Sequence, residues 1–159
     1  MVKFEDLRQQ IDITDIKKVQ RETGVLLPDP YTRHLLSYNG GHPIPDIFPF
    51  VDKGKKTNSR IQIFFAIGTG EYDDLYEAIQ VLKIDEKRMP SHIIPIAEDP
   101  FGNMVTISAA DWDYGKIYFW DHEREVDYRR SNDLDYSNLY LISNSLQSLL
   151  EELTDEIIE

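Results

Sequence analysis

The chain has 159 residues, and its 29 acidic and 17 basic side chains give a formal net charge of -12 at pH 7. This length supports one hydrophobic core, so we predict a single domain over residues 1–159. The acidic balance argues against a nucleic-acid-binding surface, because phosphate contacts need clustered Lys and Arg. It favours a cationic partner, with solubility alone as the alternative explanation.

Cysteine is absent, which excludes disulfides, thiolate metal ligands and cysteine nucleophiles. The sequence has no signal segment and no apolar run of the roughly 18 residues that a spanning helix needs, so we expect a soluble, cytoplasmic protein without membrane contact.

Two helices are predicted near the N-terminus. Thr14 can cap the first, and Gly24 lies where a left-handed residue commonly ends a helix. The apolar positions of this helix follow helical spacing and are Ile16, Val19 and Thr23. The second helix is predicted to have Asp29 as N-cap and Pro30 at the first helical position, and to end at 39–41 (NGG). Its apolar stripe consists of Tyr31, Leu35, Leu36 and Tyr38.

A loop, a buried strand and a third helix are predicted next. Residues 42–60 contain three prolines and a basic cluster around Gly54, which predicts a long irregular loop. The run 61–67 (IQIFFAI) has the β-branched and aromatic content of a buried strand. Asp73 and Asp74 favour the start of a helix, because carboxylates complement the positive end of the helix dipole. The predicted buried face of that helix consists of Leu75, Ala78, Ile79 and Leu82.

The following segment predicts strands joined by hairpin-length turns. The turns are expected at 99–103 and 113–115, where Asp, Asn and Gly accumulate. Polar and apolar residues alternate after the first turn, which predicts a half-buried strand there. The predicted strands, in chain order, are 92–97, 104–108, 116–120 and, at an edge, 125–130.

The C-terminal part predicts a loop and a final helix. Residues 131–138 are acidic and polar, which favours a loop, and Asn144 with Gln147 resembles a capping box. The apolar face of the helix has helical spacing and comprises Leu146, Leu149, Leu150, Leu153 and Ile157. Helices at both ends around a middle of strands predict an α+β domain, in which helices from both ends of the chain pack on a largely antiparallel sheet.

Several motifs occur in an order that resembles the SUKH superfamily. They are Leu27-Pro28, Tyr31, Leu35-Leu36 and Asn39-Gly40-Gly41, then a strand-turn-strand around Phe101-Gly102-Asn103, and finally Gly115-Lys116-Ile117-Tyr118-Phe119-Trp120. The likeness covers about residues 14–154, and its most specific part is the first group of motifs. The best-known eukaryotic branch of this superfamily consists of the yeast Smi/Knr cell-wall assembly regulators.

This resemblance implies a fold without an active site. For the bacterial branch it implies an immunity protein that neutralises a polymorphic toxin, and many such toxins are nucleases or deaminases. The expected partner is then a cognate basic protein toxin, with no cofactor and no metal. The alternative is an adaptor resembling the yeast regulators, which binds a host protein without inhibiting it. The acidic charge agrees with a basic toxin, because opposite charges accelerate association.

The candidate chemical motifs are each better explained by a structural role. Residues 68–70 (GTG) follow a predicted strand as in a dinucleotide-binding turn, but Asp73 replaces the third glycine and would repel a pyrophosphate. Residues 111–115 begin like a calcium loop, but the glycine comes one residue early and His122 replaces the final Glu. Only a buried cluster of Glu98, Asp99 and His122 around an open cavity would indicate an enzyme.

Aromatic residues beside acids are the best candidates for a partner-binding surface, because aromatic side chains commonly anchor protein interfaces. We predict that Trp112 and Tyr114 lie in a turn and form one exposed edge together with residues 71–74. The alternative is that these aromatic residues fill the core. The predicted partner-binding set is Glu71, Tyr72, Asp73, Asp74, Asp111, Trp112, Asp113 and Tyr114.

Overall fold

The computed structural model describes residues 2–157. The helices are α1 (Ile13–Thr23), α2 (Asp29–Ser37), α3 (Leu75–Ile79), which continues as a π-helical segment (Gln80–Asp85), and α4 (Leu146–Glu152). A single 3₁₀ turn covers His122–Arg124. The strands are β1 (Lys3–Leu7), β2 (Gly40–Ile44), β3 (Ile47–Asp52), β4 (Lys55–Arg60), β5 (Ile63–Phe64), β6 (Ile93–Glu98), β7 (Met104–Ser108), β8 (Ile117–Trp120) and β9 (Leu139–Ser143).

Seven strands form one antiparallel sheet in the order β1-β2-β5-β6-β7-β8-β9, and β3 with β4 forms a separate two-stranded sheet. The centre of the large sheet is a meander, in which Ile107 of β7 lies opposite Ile94 of β6 and Ile117 of β8. The predicted α+β fold with a largely antiparallel sheet is therefore confirmed.

Apolar side chains are buried on both faces of the central strands. Ile117 and Phe119 of β8 pack in the main core together with residues of all four α-helices. Tyr118 and Trp120 alternate with them and pack in a smaller cluster with Leu82 of the π-helical segment. Because both faces are covered, β7 is buried along its length except for its half-buried first residue. The prediction of a half-buried strand at 104–108 is therefore wrong.

The helices occur close to where their spacing predicts them, but three N-terminal boundaries differ. Asp12, rather than Thr14, caps α1, because its carboxylate accepts hydrogen bonds from two backbone N–H groups of the first turn. Asp29 is the first residue of α2, and Pro28 occupies the N-cap. Ser145, rather than Asn144, caps α4, and its hydroxyl accepts from the N–H of Ser148 at 3.0 Å.

The end of α4 also differs from the prediction. The helix stops at Glu152, because the backbone of Thr154 then pairs with Ile47 through two hydrogen bonds, of 3.0 and 2.9 Å. Leu153 remains buried, whereas Ile157 lies beyond the helix and is 62% exposed. The predicted apolar face is correct for Leu146, Leu149 and Leu153.

The predicted loop at 42–60 is wrong, because most of this segment is extended. β2 joins the large sheet between β1 and β5, and β3 pairs with β4 as a hairpin. The hairpin turns at Lys53 and Gly54, whose φ values of 52° and 80° fit the positive-φ turn that connects twisted strands. Pro49 of β3 is tolerated because a two-stranded sheet leaves one side of each strand unpaired.

Two predicted strands differ from those in the structure. Residues 61–67 are largely buried, but only Ile63–Phe64 pair as a strand. Residues 125–130 form no strand; the carboxylate of Asp127 accepts from the N–H of Arg129, and the carbonyl of Asp127 accepts from the N–H of Arg130. These local bonds fold the segment into a turn, and β9 supplies the next strand of the sheet after the predicted loop at 131–138.

Candidate protein-binding surfaces

An open groove with a volume of about 550 Å³ lies beside the start of α3. Its apolar lining includes Phe65, Ala78, Leu82 and Met104, which are buried or half-buried. Its exposed lining includes Glu71, Tyr72, Glu77 and Val81, and Glu98 is half-buried. We call this feature the Tyr72 groove. It combines an apolar floor with carboxylates and one phenol, and none of its lining residues is basic.

The loop that carries Tyr72 is held in place by the two aspartates that follow it. Asp73 is only 1% exposed and accepts hydrogen bonds from Arg8 at 2.9 and 3.1 Å. Asp74 caps α3 by accepting from the N–H of Glu77, and it also accepts from two N–H groups of the loop, those of Thr69 and Gly70. The two buried carboxylates therefore fix the loop, and Tyr72 stands out from it with 72% of its surface exposed.

The groove is electrostatically negative. Burial raises the pKa of Glu98, and the neighbouring carboxylates of Asp99 and Asp73 raise it further. Glu71 forms an ion pair with Arg8 at 2.8 Å, whereas Glu77 and Glu98 have no ion pair among the residues that the structure describes. A cation placed in the groove would therefore meet carboxylates that are not already neutralised.

A second aromatic surface lies in the turn between β7 and β8, at residues 109–116, which we call the Trp112 turn. Trp112 is 61% exposed, and its ring meets the ring of His92 edge to face at 4.9 Å. Tyr114 is 49% exposed, and its hydroxyl accepts a hydrogen bond from the N–H of Asp29 at 3.0 Å. Asp111 is exposed beside them. These aromatic residues lie at the surface, but each already has a partner within the chain.

Asp113 holds the Trp112 turn from the inside. It is 5% exposed and accepts hydrogen bonds from the hydroxyls of Ser108, Tyr118 and Tyr136, the last two at 2.8 and 2.7 Å. Burial raises the pKa of Asp113, but these hydroxyl donors outweigh burial and leave it below its ordinary value. The pKa values of Tyr118 and Tyr136 are raised, by burial and by the neighbouring carboxylate of Asp113. Asp113 is therefore a buried, ionised acceptor.

The two surfaces do not form the single edge that the sequence predicts. Met104, the first residue of β7, lines the Tyr72 groove, whereas the Trp112 turn begins just after Ser108, the last residue of that strand. At about 3.3 Å per residue, a strand of this length separates the two surfaces by about 13 Å. Three predicted binding residues, Asp73, Asp74 and Asp113, are also buried and bonded internally, so they are not available to a partner.

The residues considered for catalysis do not form a reactive cluster. Both carboxylate oxygens of Asp99 are occupied: one accepts from the N–H groups of Phe101 and Asn103, and the other from Ser59 and the Asn103 amide. His122 lies beside Gly102, and Glu98 lies in the Tyr72 groove. Across residues 2–157, no group of three or more His, Asp or Glu side chains is arranged to hold a metal ion.

Several residues of these surfaces carried no usable signal in the sequence. Arg8 binds Asp73 across 65 positions of sequence, and no local pattern predicts such a pair. Met104 and Glu98 meet at the groove because β6 and β7 pair in register. The helical side of the groove was accessible from the sequence, since Ala78, Val81 and Leu82 share a face by their spacing.

The fold and these surfaces describe a small α+β domain whose exposed aromatic residues are set among acids. The chain belongs to the SMI1 / KNR4 family (SUKH-1), whose family model matches residues 10–152. This finding confirms the resemblance that the motifs indicate.

A Bacillus subtilis (strain 168) protein, the SPbeta prophage-derived uncharacterized protein YokK, is 29% identical over 161 residues. The match covers 91% of this chain and 75% of that protein. None of the helices within residues 2–157 combines the length and the apolar character needed to cross a bilayer.

Proposed function

We propose that this chain is an immunity protein, which binds and neutralises a polymorphic toxin without catalysis and without a cofactor. Membership of the SUKH family supports this proposal, because members of the family are often toxin immunity proteins. The observation that carries it is the presence of exposed aromatic residues beside acids on an acidic chain. Tyr72 is 72% exposed next to Glu71, and Trp112 is 61% exposed next to Asp111.

This combination suits a basic protein partner for two physical reasons. Exposed aromatic side chains supply large contact areas and are enriched among the residues that dominate binding energy. The net charge of -12 attracts a cationic domain over distances of about a Debye length and speeds its association. A toxin that acts on nucleic acid needs a cationic surface for phosphates, so an acidic inhibitor can cover that surface.

The proposal is tested by capture of the tagged protein's partner from a native lysate, with a high-salt wash and mass spectrometry. We expect recovery of the C-terminal domain of a toxin, and rescue of growth when that domain is co-expressed with this protein. Recovery of host proteins alone, without growth rescue, would contradict the proposal and would favour an adaptor similar to the yeast Smi/Knr regulators.

A pair of charge variants tests the role of the exposed acids. The double substitution Glu71→Ala and Asp111→Ala is expected to slow association with the toxin domain about three- to tenfold at low salt, and less at high salt, because exposed charges act mainly on the association rate. The control is Glu152→Ala with Asp155→Ala, which removes two exposed acids at and after the end of α4. Equal slowing by both pairs would mean that net charge alone matters.

A further inference from the structure

The Tyr72 groove differs from the Trp112 turn in how much of its aromatic surface is free for a partner. The ring of Trp112 already contacts His92, and the hydroxyl of Tyr114 already bonds to α2. Tyr72 is more exposed than either, at 72%, and it borders a groove with an apolar floor. Of the two surfaces, the Tyr72 groove therefore offers more contact area that the fold leaves uncovered.

The shape of the groove favours a polypeptide segment over a small ligand. Its volume of about 550 Å³ is sufficient for a large side chain. It is open along one side, however, and a small-molecule site usually encloses about 70–90% of its ligand. A chain segment that lays one apolar side chain against Ala78, Val81 and Met104 can continue over the open side.

The charges of the groove favour basic residues on either side of that apolar side chain. Glu77 and Glu98 both line the groove and form no ion pair in the described part of the chain, and Glu98 is half-buried. Arg8, which pairs with Glu71 of the groove, is already bound to Asp73 as well. Lys or Arg beside the apolar anchor would pair with these free carboxylates, whereas Asp or Glu would be repelled.

We propose that the Tyr72 groove is the docking site for a segment of the partner protein that carries one large apolar side chain flanked by Lys or Arg. The groove is preformed, because Asp73 and Asp74 hold the loop of Tyr72 against Arg8 and the start of α3. A preformed site loses little conformational freedom on binding, which favours affinity. The inference rests on the proposed function only for the identity of the partner as a toxin.

The test uses blocked synthetic peptides as probes and the full chain as target. The peptides are Lys-Lys-Phe-Lys-Lys, its variant with Ala in the centre, and Glu-Glu-Phe-Glu-Glu. Backbone amide shifts measured by NMR report both the binding site and the affinity. We expect the basic Phe peptide to shift the amides of Gly70, Tyr72 and Val81, the Ala peptide to bind at least about fivefold more weakly, and the acidic peptide to cause no shifts.

Variants then identify the contacts. Tyr72→Ala is expected to weaken binding of the basic Phe peptide at least about tenfold, because the substitution removes an aromatic anchor. The double substitution Glu77→Gln and Glu98→Gln is expected to weaken binding of this peptide about three- to tenfold and to reduce the salt dependence of the binding. The matched control is Phe101→Ala, because Phe101 is 73% exposed but does not line the groove. Phe101→Ala should change the affinity for the peptide by no more than about twofold.

The docking site is overturned if the shifts fall on the Trp112 turn, if the acidic peptide binds equally well, or if Tyr72→Ala changes nothing. These results are independent of the lysate capture. Peptide binding at the groove without recovery of a toxin would keep the docking site and contradict the immunity function. Recovery of a toxin whose binding is insensitive to Tyr72→Ala would keep the immunity function and contradict the docking site.

Discussion

Acidification should destabilise this protein through His34, a residue of α2 that lies among aromatic rings. Its side chain is buried, with the rings of Phe64, Tyr38 and Phe4 at 5.1, 5.6 and 5.7 Å. Its buried Nε2 atom has no hydrogen-bond partner among the described residues. Because burial disfavours the charged imidazolium, the pKa of His34 is lowered from 6.5 to about 4.

The direction and size of the effect follow from this pKa. The unfolded chain binds more protons than the folded chain between about pH 4 and pH 6.5, so stability is complete above that range and is lost as the pH falls through it. Proton linkage with these two pKa values gives a loss of about 2 kcal/mol between about pH 7.5 and about pH 5.

Urea unfolding at both pH values measures the loss. We expect His34→Phe to reduce the pH dependence of the unfolding free energy by about 2 kcal/mol, because a phenyl ring cannot titrate. The variant should keep its stability near neutral pH, since it removes a buried polar nitrogen that lacks a partner. The control is His122→Phe, at a half-buried position outside the core. If His34→Phe loses as much stability on acidification as the parent protein, the reasoning is refuted.

Two further stability predictions use the same assay. Gly40→Ala should lower the free energy of unfolding by about 2–4 kcal/mol. A Cβ at this position would lie 2.8 Å from Cβ of Ala66, and the backbone φ of +83° disfavours any residue other than glycine. Gly54→Ala, at φ +80° with no atom within 4 Å, should cost only about 1 kcal/mol, and equal costs would show that the contact is unimportant. Asp113→Ala should cost about 2–4 kcal/mol, because three hydroxyls lose their acceptor, whereas exposed Asp111→Ala should stay within about 0.5 kcal/mol. Similar values for the two aspartates would contradict the buried network.

Local spacing was sufficient to predict all four helices, because helix formation and capping depend on residues within a few positions of one another. The central strands β6, β7 and β8 were predicted for the same reason, since short turns join them. The N-terminal strand β1 and the extended segment at 42–60 were missed. β1 pairs with β2 across more than 30 positions, and no local pattern predicts that partner. The β3–β4 hairpin is local, but its proline and the polar composition of β4 are typical of a loop, so composition does not indicate these strands.

The sequence by itself determined the fold class, the family and the acidic character of this protein, because composition, ordered motifs and local periodicity are all properties of the chain alone. Only the tertiary structure decided which acids a partner can reach. Asp73 and Asp74 resemble Glu71 in the sequence, and Asp113 resembles Asp111. The fold buries the first two against Arg8 and α3, and it buries Asp113 against two tyrosines, while Glu71 and Asp111 remain exposed. Burial depends on contacts between distant segments, and composition and spacing do not specify those contacts.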